Sequence, residues 1–151
     1  MLYHDAGLAW LHFVFAFILV GAIAAEAFIL RLPVDGRVAR LLLRVDLFYA
    51  ISATGVIVAG VSRVIWGAKG WDYYQAQPFF WAKMAIFAAI GLISIAPTRA
   101  FIRWTKAAGA APSFAPAEAD VKGVRRLVMI EAHLLALLLV FATLMARGIG
   151  S

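Results

Sequence analysis

Seven side chains that could carry chemistry lie inside or at the edges of long apolar runs: His12, Glu26, Asp46, Arg63, Lys83, Glu131 and His133. An ionisable group in hydrocarbon costs about 2.5–3.5 kcal/mol on insertion scales, so each asks for a partner or a task. Depth sorts them, at a rise of about 1.5 Å per helical residue. His12, Arg63 and Lys83 each lie about one turn from the same end of their runs. His12 could ligate a metal or haem, or carry a proton. Arg63 and Lys83 could clamp an anionic group such as a propionate or carboxylate. The plainer alternative is that the two cations snorkel to lipid headgroups.

Glu26, Asp46 and Glu131 share a second depth, toward the opposite end, where Arg44 opens span two with Asp46 and Arg99 and Arg103 follow span three. Buried charges are normally paired, so this group reads as an ion-pair cluster tying helix ends together. The functional alternative is a proton relay or a substrate carboxylate site. His133 does not join His12 on one haem, because their depths differ by about 15 Å. Glu131 and His133 also point about 200° apart on a helix. One of them therefore faces a neighbouring helix, a partner or the membrane interface.

His12 and Glu26 stand close to four turns apart and share a face with Phe15, Leu19 and Ile23. Tyr49, Ser52, Val56 and Arg63 form a similar stripe. Both stripes are apolar in the middle of the membrane, which argues against a hydrated channel. Gly55 and Gly60 are five apart, so they are not a GxxxG motif.

The elements that must position these residues follow from composition. Of 151 residues, 65% are hydrophobic and 15% charged, against about 25% charged in an ordinary soluble domain. That excludes a soluble enzyme, a disordered chain and a fibrous repeat. Four apolar runs are expected to span, at about 8–30, 47–66, 79–96 and 127–146, with Pro97 closing the third. Irregular backbone facing lipid is not viable, so the spans are helices. Short connections predict an all-α, integral-membrane, four-transmembrane-helix antiparallel bundle. Residues 97–126 read as a flexible cytoplasmic loop rich in Ala and Pro. The N-terminus lacks the basic region of a signal peptide, so the first span is expected to be retained.

The net charge of +6 is explained by topology rather than by nucleic acid. Ten basic residues (Arg31, Arg37, Arg40, Arg44, Arg99, Arg103, Lys106, Lys122, Arg125 and Arg126) fall on one side and four (Arg63, Lys69, Lys83 and Arg147) on the other. Basic loops stay cytoplasmic, so both termini are expected outside, in the periplasm of a bacterial inner membrane. Trp66, Trp71, Tyr73, Tyr74 and Trp81 would form the outer aromatic belt. The absence of cysteine excludes disulfides, iron–sulfur clusters and covalently attached c-type haem. Three histidines are too few for a dedicated zinc site unless carboxylates complete it.

In LHFVFAFILVGAIAAEAFILR, RVIWGAKGWDYY, PFFWAKMAIF, APTRAFIRW and LMARGIG, the chain resembles a family of bacterial four-helix membrane proteins that implies no activity. More distantly it is similar to HemJ-type protoporphyrinogen oxidases and CopD-type membrane proteins. That resemblance rests on His12, the run Arg40–Arg44, Trp81 with Lys83, and Arg126 with Glu131. It implies haem b as cofactor, with His12 as ligand and Lys83 nearby. Glu26–Arg31 departs from the HemJ pattern at the end of span one.

Two functions follow as expectations. One is a haem- or tetrapyrrole-binding redox protein, with His12 on the iron and Arg63 and Lys83 on propionates. The other is a cofactor-free accessory or scaffold subunit of a larger membrane complex, or of a homo-oligomer, embedded in the lipid bilayer. A proton-coupled carrier using Glu26 and Glu131 is a third, disfavoured by the dry central stripes.

Overall fold

The computed structural model describes residues 2–67 and 69–149. Five helices follow one another: α1 Leu2–Ile29, α2 Gly36–Trp66, α3 Gly70–Gln75, α4 Pro78–Ala110 and α5 Glu118–Ala146. No strand occurs among the described residues. α1, α2, α4 and α5 are each long and apolar enough to cross a membrane. They form a four-helix membrane bundle in which α1 packs on α2, α2 on α4, α4 on α5 and α5 back on α1. α1 and α4 are diagonal, as are α2 and α5.

The faces turned outward carry Phe17, Phe28, Phe48, Ile57, Val58, Leu92 and Val140, all exposed. In water such a surface would aggregate; against acyl chains it is solvated. Helix association then depends on close packing and polar contacts rather than on a hydrophobic driving force.

All four long helices run beyond the expected spans: α1, α2 and α5 start earlier, and α4 ends later. A helix of the length of α2 measures about 46 Å, against about 30 Å of hydrocarbon. The start of α2 is set by Asp35, whose carboxylate accepts from the backbone N–H of Arg37 and Val38 at 2.8 Å each. That cap satisfies two of the orphan donors of the first turn. The first turns of α2 are amphipathic. Arg37, Arg40 and Arg44 are exposed while Ala39 and Leu42 are buried.

The expected loop 97–126 is mostly helix. α4 continues through Pro97 to Ala110 and α5 begins at Glu118, leaving only 111–117 irregular. Pro97 lacks an N–H and so leaves the Ile93 carbonyl without its helical donor, a cost that buried packing outweighs. Beyond it Ala100, Phe101 and Trp104 are buried with Leu30, Val34, Val124 and Val128. This core closes the end of the bundle where the basic connections lie, here the basic end. At the α4–α5 turn, Asp120 accepts from the Trp104 indole Nε1 at 3.0 Å and the Arg103 guanidinium at 2.5 Å.

The opposite, aromatic end is built around the short α3. Gly70 opens it at φ 70°, a left-handed conformation that favours glycine. Trp71 stacks edge-on against Phe80 and Trp81, and Trp81 donates to the Gln75 carbonyl at 3.0 Å. Trp66, Trp71 and Trp81 are exposed, whereas Tyr74 is buried against Phe80.

Candidate functional site

The bundle carries two polar clusters, one toward each end. At the aromatic end, His12 leans from α1 onto the backbone of α2, with Nδ1 3.2 Å from the Val56 carbonyl oxygen. Gly60 lies beside the ring: a Cβ there would stand 3.4 Å from the imidazole Cε1, an ordinary contact. A carbonyl facing Nδ1 selects the tautomer protonated on that nitrogen, leaving Nε2 with a free lone pair.

Arg63 on α2 and Lys83 on α4 lie within electrostatic reach of His12, and Arg63 within reach of Lys83. Three elements thus bring the basic trio together, at the common depth expected from the sequence. None of the three forms an ion pair among the described residues. The Arg63 Nε is buried and has no hydrogen-bond partner. Asp5 approaches the same end of α2, at Gly67. Two cations converging on an imidazole, one with an unmet buried donor, make an environment suited to an anionic group.

Toward the basic end, Glu26 of α1, Asp46 of α2 and Glu131 of α5 retain only 2%, 4% and 2% of their surface exposed. They lie within electrostatic reach of one another. Thr98 of α4 donates to Asp46 Oδ1 at 2.9 Å. Tyr49, buried beside Ser94, faces the same three carboxyl groups. Glu26 Oε1 and Glu131 Oε1 are buried with no partner.

The mixed-sign ion-pair network expected here does not form. Arg44 and Arg99 are exposed, and Arg103 is engaged with Asp120 instead. The reason is angular. Arg44 stands two residues before Asp46, about 200° around the helix, so one points out when the other points in. The cluster is carboxyl-rich and has no cation among the described residues.

The same geometry separates Glu131 from His133. Glu131 is buried, while His133 is exposed and turns Nδ1 to the Met129 carbonyl of its own helix at 2.6 Å. The two histidines do not share a site. No group of three or more His, Asp or Glu side chains among the described residues is placed to hold a metal ion. A cavity of about 400 Å³ opens at the basic end between the α1–α2 and α4–α5 connections, lined in part by Arg31, Lys122 and Arg125. None of the seven candidate residues lines it.

Two features of the sites lay outside the sequence expectations. Gly55, set aside with Gly60 as no dimerisation motif, leaves room for Phe15 of α1 against α2 within the bundle. Thr98, next to Pro97, proved to be the one hydroxyl among the described residues bonded to a cluster carboxylate. Residues 4–150 match the family described as predicted membrane protein, DUF2214, and the chain belongs to that family. No curated protein and no solved structure matches it.

Proposed function

We propose that this member of the family is a haem- or tetrapyrrole-binding redox protein of a bacterial inner membrane. The observation that carries the reading is the contact of His12 Nδ1 with the Val56 carbonyl. Metal-ligating histidines commonly donate their second ring N–H to a carbonyl, which fixes the tautomer and orients the ring. A tetrapyrrole brings its own four nitrogens, so a single protein ligand suffices where no cluster of protein ligands exists. The donor set fits in charge as well: Arg63, with its unmet Nε, and Lys83 would hold propionates. When bound, haem supplies a one-electron redox centre. His12 fixes its position, and the two cations neutralise its acidic edge. The basic connections are read as cytoplasmic, which puts this site near the periplasmic face.

The test is an absorption spectrum of the detergent-purified protein, oxidised and dithionite-reduced, after expression with haem supplied. A Soret band with sharpened reduced bands is expected. His12→Ala should abolish it while helical circular dichroism is retained. A flat wild-type spectrum, or a Soret band that survives His12→Ala, would remove this reading.

A second reading is supported by His133, which points away from the bundle in an otherwise apolar stretch of α5. There it would face a partner subunit of a larger membrane complex, or a second copy. Co-purification in mild detergent that is lost in His133→Ala, from a colourless protein, would favour it.

A further inference from the structure

We propose that Glu26, Asp46 and Glu131 form a proton-binding site, in which protons take the place that counter-cations fill in other buried carboxylate clusters. The inference rests on geometry at the basic end and is independent of any ligand at the aromatic end.

Three carboxyl groups approach one another from α1, α2 and α5. Among the described residues, no element packed around them supplies a charge that balances theirs. α1 contributes Glu26 alone. α2 contributes Asp46 and Tyr49, with Arg44 turned to the surface. α4 contributes Ser94 and Thr98, which are neutral, with Arg99 exposed and Arg103 bound to Asp120. α5 contributes Glu131 alone. Among the described residues no cation faces the cluster.

Nor does water reach it freely. Along the same helices lie Leu42, Phe101 and Val128 toward the basic end and Leu19, Ile23 and Ile90 toward the membrane centre, all buried. A carboxylate enclosed in this way has lost its hydration without gaining a counter-charge, which the interior of a protein does not sustain.

Hydrogen-bond accounting points the same way. An ionised carboxylate only accepts, and three of them supply no donor. The hydroxyls of Thr98 and Tyr49 cannot serve all six oxygens, and two of these are unpartnered. A proton on a carboxyl group removes its charge and turns an acceptor into a donor. A metal ion would answer the charge equally, but the described carboxyl groups are not placed to ligate one. The proton is the cation that needs no coordination shell.

The consequence is a link between proton occupancy and the closure of the bundle. Removing the protons leaves like charges in a dry core, so the four helices should part at this level as the pH rises. In Glu26→Gln or Glu131→Gln one source of repulsion is gone. The neutral side chain also keeps a donor, so closure should survive to higher pH.

The full chain in lipid vesicles tests this by infrared spectroscopy at neutral pH, in H2O and then D2O. The C=O stretch of protonated, buried carboxylic acid is expected, with loss of one component in each Gln variant. Raising the pH should remove the band in parallel with increased amide hydrogen exchange in α1 and α2. In Glu26→Gln and Glu131→Gln the remaining acid band should be lost at lower pH, because one like charge fewer eases ionisation of the rest, while the exchange transition should move to higher pH. If one variant fails to fold, the other and the wild-type spectrum still decide. A wild-type spectrum with carboxylate bands only would overturn the proposal. So would an acid band displaced by Na+ or K+ at constant pH, or an alkaline transition unmoved by both variants.

Discussion

The ring of Phe15 occupies the place where a side chain at position 55 would begin. A Cβ on Gly55 would stand 2.5 Å from Phe15 Cγ and Cδ1 and 2.6 Å from Cδ2. One turn and a half further along α2, Gly60 faces His12 at an ordinary contact distance. Gly55 thus sets how closely α1 approaches α2, and thereby the reach of His12 to the Val56 carbonyl.

The pair responds unequally to alanine. Replacing glycine inside a helix gains about 1 kcal/mol of propensity. At Gly60 that gain meets little resistance, so Gly60→Ala should leave stability unchanged or raised. At Gly55 the added methyl meets an aromatic ring, and overpacking of this kind costs about 1–3 kcal/mol. Gly55→Ala should therefore lower the melting temperature in detergent. In a Phe15→Ala background the same substitution should be harmless, because the two residues act through one contact. Equal effects of Gly55→Ala in both backgrounds would refute the notch.

Asp35 gives a pH dependence whose sign can be worked out. Hydrogen bonds from Val38 N and Arg37 N, helped by the nearby Arg37 and Arg40 charges, hold its carboxyl below the usual aspartate range. Its folded-state proton affinity is thus depressed, so the cap stabilises α2 above the ordinary aspartate pKa and is lost as pH falls through the lower folded value. Amide exchange at Arg37 and Val38 should speed up on acidification. Asp35→Asn should keep the cap and lose the pH dependence, and Asp35→Ala should fray the turn at every pH. Exchange rates that ignore all three changes would show that the cap does not hold the helix start.

The four spans were legible because long apolar runs admit one structure in lipid. The common depth of His12, Arg63 and Lys83 was legible from helical rise alone. The basic-end helix extensions were not, because Arg37, Arg40 and Arg44 interrupt the apolar run even though they occupy one exposed face. Pro97 concealed the length of α4, since the packing of Phe101 and Trp104 that carries the helix past it comes from distant segments. The outward turn of Arg44 did lie in the spacing: the angle that parts Glu131 from His133 also parts Arg44 from Asp46. The Asp120 contacts with Arg103 and Trp104 cross a connection whose path no local pattern specified.

That connection makes a separate prediction. The Arg103–Asp120 ion pair is largely exposed, with side-chain exposures of 60% and 40%, and such pairs contribute about 0–1 kcal/mol. Trp104, by contrast, is buried, and an orphaned buried donor costs about 1–3 kcal/mol. Arg103→Ala should therefore be mild and Asp120→Ala distinctly destabilising, with Asp120→Asn intermediate because the amide oxygen still accepts from the indole. Thermal unfolding followed by Trp fluorescence ranks them. A larger loss in Arg103→Ala than in Asp120→Ala would mean that the charge, not the indole, secures the turn.

The absence of cysteine makes the orientation directly measurable. Ser113 lies exposed in the irregular segment at the basic end, and Ala76 lies exposed between α3 and α4 at the aromatic end. Ten of the fourteen basic residues sit toward the first of these ends, and an excess of Lys and Arg holds short connections in the cytoplasm. Ala76→Cys should then react with an impermeant maleimide in intact spheroplasts, and Ser113→Cys only after the membrane is breached. The site of His12 would face the periplasm and the carboxyl cluster would lie nearer the cytoplasm. Their separation along α1 is about 21 Å at the helical rise. The reverse labelling pattern would exchange those sides and leave the bundle itself unchanged. Labelling of both cysteines in intact spheroplasts would mean that the chain inserts in two orientations, and that the charge difference is too small to choose between them.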